Sequence, residues 1–328
     1  MKRLIRVIIL VVGLASIGIT SLFIWFQHEV KDTVPLTSPV VVVIEPGMGL
    51  TSISKKLVSE NVITNPWIFH FAARLTGQSR SLKAGEYRFV PGTNVADILA
   101  KLIAHDVIIR FITIPEGLTT DKIIELIMSA EGLIGAPPAY MPEGSLLPET
   151  YGYERGQSRA ALLSQMTRDR DQLMAELWHT RKNDLPFLNI DEAVVLASIV
   201  EKETSIREER QHVASVFINR LKRGMKLQSD PTVIYGLNPS GEGLGRSLRR
   251  SELEKATPFN TYLNYGLPPS PICTPGSAAL RAVFNPINTL DLYFVADGTG
   301  GHVFAETLTE HNRNVAQWRR LKMGLEAN

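Results

Sequence analysis

The sequence predicts an α+β protein with a single N-terminal transmembrane helix, a small α+β module behind it and a larger α+β domain towards the C-terminus. Three observations predict this: a long uncharged run near the start, a strand–Pro–Gly–helix pattern written three times, and a helix that is apolar nearly all round and ends in Glu201-Lys202-Glu203. The chain has 328 residues, 44% hydrophobic and 21% charged, which suffices for roughly two domains and excludes a disordered protein. Lys+Arg 35 against Asp+Glu 33 leaves no basic field for nucleic acid. A mean hydropathy near zero excludes a polytopic membrane protein but can hide one span. The single cysteine, Cys273, excludes an intrachain disulfide framework and any multi-cysteine metal site.

Residues 1–6 carry Lys2, Arg3 and Arg6, and Val7 to Phe26 then runs twenty residues without a charge. A helix of that length covers about 30 Å, the thickness of a bilayer's hydrocarbon core. Trp25 falls at its far end, where an interfacial ring is favoured. Beyond the span Glu29, Lys31 and Asp32 roughly cancel, so the positive-inside rule leaves residues 1–6 as a cytoplasmic tail and exports everything after residue 26. The rival is a cleaved signal peptide, allowed by Ala15, Ser16 and Gly18. The bulky Leu22-Phe23-Ile24-Trp25-Phe26 offers no small-x-small cleavage site, which favours a transmembrane helix over 7–26. One thiol in so long an exported segment fits an oxidising compartment, the periplasm in a double-membraned bacterium. The expected location is therefore the inner membrane.

Residues 27–38, with Pro35, Thr37 and Ser38, read as a polar linker. The repeat follows. Val41-Val42-Val43-Ile44-Glu45-Pro46-Gly47, Tyr87-Arg88-Phe89-Val90-Pro91-Gly92 and Phe111-Ile112-Thr113-Ile114-Pro115-Glu116-Gly117 are apolar strands ending in turns. Helical pairs follow each at the same offset from the glycine: Ile53 and Leu57, Ile98 and Leu102, Ile123 and Ile127. An i, i+4 pair shares one face and can pack back on its strand. This predicts a small α+β module over 39–112. Residues 113–185 read as a helical connector, broken at Ala136-Pro137-Pro138 and Met141-Pro142-Glu143-Gly144.

The domain over 186–328 holds the chemistry. Asp191 to Thr204 begins as a buried helix, and Glu203 follows Ile199 by four and Val200 by three, so it shares their face. Desolvation there would raise its pKa towards the range of a general acid. Glu201 could be drawn in as well. The alternative is a helix end in solvent with Glu203 paired to Arg207. The next helix, Arg207 to Arg223, stops at Gly224 and carries Asn219 beside its apolar face. Leu227-Gln228-Ser229-Asp230-Pro231-Thr232 is dense in hydrogen-bonding groups and, with Tyr235, suits a sugar-binding edge. Leu292 to Ala296 and His302 to Ala305 flank a glycine-rich turn, a hairpin pattern. The sequence has no dinucleotide fingerprint, no H-E-x-x-H and no G-x-S-x-G, which leaves acid–base chemistry on carboxylates without a metal or other cofactor.

Ala197-Ser198-Ile199-Val200-Glu201-Lys202-Glu203-Thr204, Val213 to Leu221 and Leu227 to Gly236 resemble the core signature of the endolytic murein transglycosylase (MltG, YceG-like) family. Asn260-Thr261-Tyr262, Gly266-Leu267-Pro268-Pro269 and Gly300-Gly301-His302-Val303-Phe304 resemble its C-terminal signatures, in the same order. Ser270, Cys273-Thr274 and Ser145 to Thr150 depart from the pattern. The resemblance implies a lytic transglycosylase that cuts the β-1,4 bond between N-acetylmuramic acid and N-acetylglucosamine in nascent strands, without water. It implies that Glu203 is the catalytic acid and that 39–112 is a LysM-like glycan-binding module. Asn219, Gln228, Ser229, Asp230, Tyr235, Asn260, Tyr262 and His302 are the candidate substrate contacts. The implied partners are peptidoglycan strands, peptidoglycan synthases (penicillin-binding proteins) and the inner membrane, with no nucleic acid. Two other readings stay open: a non-catalytic glycan-binding scaffold, and a hydrolytic muramidase using Asp230 as second carboxylate.

Overall fold

The uncharged run is the middle of a longer helix, α1 (Lys2–Lys31), in a computed structural model that describes residues 2–34 and 36–326. Met1 of the expected tail, Pro35 of the expected linker and residues 327–328 lie outside the described residues. The chain divides into two units, Met1–Arg110 with Gly152–Gly156, and Phe111–Tyr151 with Gln157–Asn328. Most of α1 is exposed, but Phe26 is buried against Phe71 with ring centroids 5.1 Å apart. The first part of the expected 27–38 linker is helical as far as Lys31, because Phe26 and Val30 already pack on the first unit's core. Thr33 then bridges to Asn94, and the Val34 N–H donates to the Thr93 carbonyl at 2.8 Å.

In the first unit β1 (Val40–Ile44) leads to α2 (Leu50–Ser59) and α3 (Pro66–Leu75), then β2 (Gly85–Phe89) to α4 (Val95–Ala104), then β3 (Ile109–Thr113) begins. β1 and β2 pair antiparallel, with Val42 opposite Tyr87. Val42, Ile44, Tyr87 and Phe89 point inward and meet Ile53, Leu57, Ile98 and Leu102. α4 starts in a capping box of Asn94 and Asp97, and Asn65 caps α3 by accepting from the Trp67 N–H at 2.9 Å.

The second unit holds α5 (Thr120–Ser129), β4 (Thr150–Glu154) at its start, α6 (Arg159–Thr180), α7 (Ile190–Glu203), a 3-10 turn (Arg207–Glu209) and α8 (Arg210–Lys222). After these come α9 (Asp230–Leu237), α10 (Arg250–Leu253), α11 (Ser277–Phe284), β5 (Tyr293–Ala296), β6 (His302–Ala305) and α12 (Leu308–Glu326). The three expected strand–turn–helix copies are β1–α2, β2–α4 and β3–α5. Their marker residues Ile53, Leu57, Ile98, Leu102, Ile123 and Ile127 are all fully buried. Each turn glycine has positive φ (85° at Gly47, 86° at Gly92, 77° at Gly117), a conformation that disfavours any residue with a Cβ. Residues 113–185, expected as a helical connector broken at Ala136-Pro137-Pro138 and Met141-Pro142-Glu143-Gly144, are helical in α5 and α6, with both breaks between them. The proline-rich stretch between them runs irregularly into β4, which pairs with β3. β5 and β6 form the expected hairpin. The core of this unit is built on α7, whose Ala193 to Val200 are all buried, clasped by α8 and α11.

Candidate active site

α7 has its most polar segment at its last turn. Asn189 caps its start, accepting from the Glu192 N–H at 2.9 Å. At the other end Glu201 and Glu203 leave the same turn in different directions and meet different fates. Glu201 is fixed: Arg210 Nη2 donates to its Oε1 at 2.9 Å, and the Gly276 N–H donates to its Oε2 at 2.9 Å. Arg210, buried, also donates from Nη1 to Glu116 Oε2 at 3.1 Å, so one cation joins the third repeat turn to α7. Burial raises the Glu201 pKa, opposed by the Gly276 amide and the Arg210 charge.

Glu203, the last residue of α7, stays partly exposed. Ser229 Oγ donates to its Oε1 at 2.5 Å. Burial of the carboxyl pushes its pKa up to about 7; the Ser229 hydroxyl pulls it down, Asp230 pushes it up, and His302 and Arg220 pull it down. The C-terminal end of a helix carries partial negative charge, a further cost for a carboxylate there. The carboxyl is therefore poised to give up or take a proton near neutral pH, as a general acid–base requires. Arg207, the expected alternative partner, is exposed on the 3-10 turn, and the hydrogen bond that Glu203 makes is to Ser229.

The groups around Glu203 are held by their own scaffold. Ser229 is buried, its N–H donating to Thr261 Oγ1 at 3.0 Å, and Thr232 Oγ1 lies 2.8 Å from Thr261 Oγ1. Gln228 takes a positive φ of 52° and gives its N–H to the Thr261 carbonyl at 3.2 Å. Its side chain is exposed. Asp230 opens α9 and accepts from Tyr262 OH at 2.6 Å. Burial first, then the Asp230 carboxylate, raise the Tyr262 pKa well above that of a free phenol, so it serves as a donor. His302 is fixed by Glu209: its N–H donates to Oε1 at 2.9 Å, and its Nδ1 lies 2.8 Å from Oε2. Burial pushes Glu209 upward, but these bonds and the Thr204 hydroxyl outweigh it and hold its pKa below the usual value.

Of the sequence-predicted residues, Ser229, Asp230, Tyr262 and His302 gather at Glu203 by direct bond, by a bond to Asp230, or by charge. Three others do different work. Asn260 is fully buried, and its Nδ2 donates to the Leu253 and Lys255 carbonyls at 2.9 and 2.8 Å. Asn219 donates to the Thr289 and Asp291 carbonyls at 2.9 and 3.0 Å. Tyr235 stacks edgewise on Phe259 and lines a separate cavity of about 550 Å³ with Glu143 and Pro269–Pro271.

Comparison with known proteins was decisive for family: the profile of the YceG-like family matches residues 42–317. The chain belongs to the YceG-like family. Proteins named endolytic murein transglycosylase are similar to it. One from Streptococcus pneumoniae is 27% identical over 89% of this chain and 61% of its own length. Another, from Bacillus subtilis, is 28% identical over 93% of this chain and 90% of its own. The chain thus spans less than two thirds of the length of the pneumococcal relative. Its structure is similar to the crystal structure of a YceG-like protein from Listeria monocytogenes, with TM-score 0.52, 28% identity, 85% of this chain and 99% of that one covered.

Sequence reasoning on this YceG-like chain missed Arg220. It is buried, donates from Nε to the Leu292 carbonyl at 2.6 Å and from Nη1 to the Leu227 carbonyl at 2.7 Å, and so sets the loop that delivers Ser229. A signal existed, since Arg220 follows Val216 by four and Phe217 by three on the buried face of α8. Arg210 and Glu209 gave no such signal, because Glu116 and His302, which they bind, lie 94 and 93 residues away in the chain.

Proposed function

We propose that this chain is a membrane-anchored endolytic lytic transglycosylase, a lyase that cleaves the N-acetylmuramic acid–β-1,4–N-acetylglucosamine bond of nascent peptidoglycan and ends strand elongation. The observation that carries the reading is the Glu203 carboxyl, with its pKa raised to about 7 mainly by burial, at the centre of a prebuilt polar cluster. The names of the pneumococcal and Bacillus relatives supply the substrate class.

Ordinary glycosidases use two carboxylates, one as acid and one as nucleophile or base. Here one suffices, because the substrate brings its own nucleophile. Protonated Glu203 gives its proton to the glycosidic oxygen as the C1–O bond breaks. The resulting carboxylate takes the proton from the muramic 6-hydroxyl, whose oxygen closes on C1 to form the 1,6-anhydro ring. The proton count returns to its start, and no water enters. Ser229 orients the carboxyl, while Asp230 is engaged by Tyr262 and favours the protonated form of its neighbour. Gln228, exposed beside Ser229, and His302 are suited to contact sugar hydroxyls.

The remaining parts extend the same reading. Helix α1 crosses the inner membrane with residues 1–6 in the cytoplasm and the rest in the periplasm, supported by its length, apolarity and exposure. The module over 39–112 is LysM-like and holds glycan, and synthases of the penicillin-binding class supply the strand. Digestion of purified peptidoglycan with wild type and with Glu203→Gln tests the central claim. Wild type yields fragments lighter by one water than hydrolytic products, and the variant loses about 10²–10⁴-fold of the rate. Reducing-end muramic acid as the main product would instead identify a hydrolase.

A further inference from the structure

The face of α3 turned away from the first unit's core is largely exposed among the described residues, touched there by Phe26 of α1. Ile68, Phe69, Ala72 and Ala73 point inward, but Trp67 is 78% exposed, Phe71 54% and Leu75 55%, at i, i+4 and i+8. Trp67 and Phe71 wall a groove of about 810 Å³ whose opposite wall is α1, from Ile19 through Leu22, Phe23 and Trp25 to Phe26. Large apolar surfaces of this kind mark an interaction site. Its charged lining residues are both cations, Lys55 and Arg74.

We infer that α3 is an interfacial helix lying in the outer face of the bilayer that α1 crosses, with lipid acyl chains filling the groove and anionic headgroups meeting Lys55 and Arg74. The inference rests on α1 being a span. One wall then fixes the occupant. Ile19 precedes Phe26 by seven residues, so the groove reaches about 10 Å down the helix from Phe26, where the uncharged run ends. That is the depth at which interfacial helices bury their apolar face, about 5–10 Å below the headgroups. Whatever surrounds α1 there also surrounds Trp67 and Phe71, because Phe71 packs directly on Phe26. Trp67 and Trp25 line the groove together, matching the aromatic preference of the membrane interface.

The test uses the full chain in vesicles of phosphatidylethanolamine and phosphatidylglycerol whose acyl chains carry bromine, compared with unbrominated vesicles. Tryptophan emission is read for wild type, Trp67→Phe and Trp25→Phe; each difference from wild type isolates one ring. Bromine is expected to remove most of the emission of both rings, and acrylamide to leave both nearly untouched. Loss of Trp25 emission with Trp67 unaffected overturns the docking of α3 and leaves the span standing. If that unaffected Trp67 is also shielded from acrylamide, the groove is covered by a second copy of the chain. Emission from Trp25 that bromine does not reduce overturns the span, and the inference with it.

Discussion

Ser229 and Glu203, twenty-six residues apart in sequence, share a 2.5 Å hydrogen bond in which the serine hydroxyl donates to the carboxylate oxygen. A donor favours the charged carboxylate, so this contact works against the burial that raises the pKa. Ser229→Ala is therefore expected to move the alkaline limb of kcat/KM upward from about 7. A pH profile on soluble glycan fragments checks it. A downward move would mean that the hydroxyl does not act on the ionised carboxyl.

Asp230 acts with the opposite sign. Its charge makes a second negative charge at Glu203 costlier. Asp230→Asn should move the same limb downward while leaving the proposed 1,6-anhydro product unchanged. Loss of that product in favour of a hydrolytic one would give Asp230 a direct part in the chemistry.

Protonation of Glu203 also couples to folding. In the unfolded chain a glutamate titrates near 4.5, and in the folded state at about 7, so the folded state holds the extra proton between those values. Wild-type stability is full below pH 4.5 and declines as pH rises through 7. Glu203→Gln cannot ionise and escapes the decline. Thermal unfolding should show the variant more stable by on the order of 2 kcal/mol above pH 7, and level with wild type below pH 4.5.

Arg210 neutralises two carboxylates, Glu201 and Glu116, in a buried position. Arg210→Met leaves Glu201 buried and unpaired and is expected to cost about 3–5 kcal/mol, read by urea unfolding. The double variant Arg210→Met/Glu201→Gln should recover part of that loss, since it removes the stranded charge. No recovery would mean that the arginine acts through packing.

Local rules made some parts legible in sequence and could not reach others. The three turn glycines and their helical pairs could be read because a strand, a left-handed glycine and an i, i+4 pair are written within twenty residues. Glu203 could be read because Ile199 and Val200 mark its face. Helix α11 escaped, although Leu280 and Val283 repeat at helical spacing, because its eight residues are short and follow a proline-rich stretch. The partners of Glu203 and Glu201 are tertiary: Ser229 arrives through a loop set by Arg220, and Gly276 comes from beyond α10. Asn219, on a helix, and Asn260, in an irregular segment, looked like sugar ligands because a polar side chain reads the same whether it faces solvent or ties down a backbone carbonyl.

Helix α1 runs unbroken to Lys31, and Thr33 and Val34 are already stitched to the segment before α4. Almost no slack remains between α1 and the rest of the first unit. The connection is a rigid mast and not a leash: with α1 as the proposed span, it sets the height and the facing of that unit above the bilayer. Any tilt or rotation of the mast turns the unit with it.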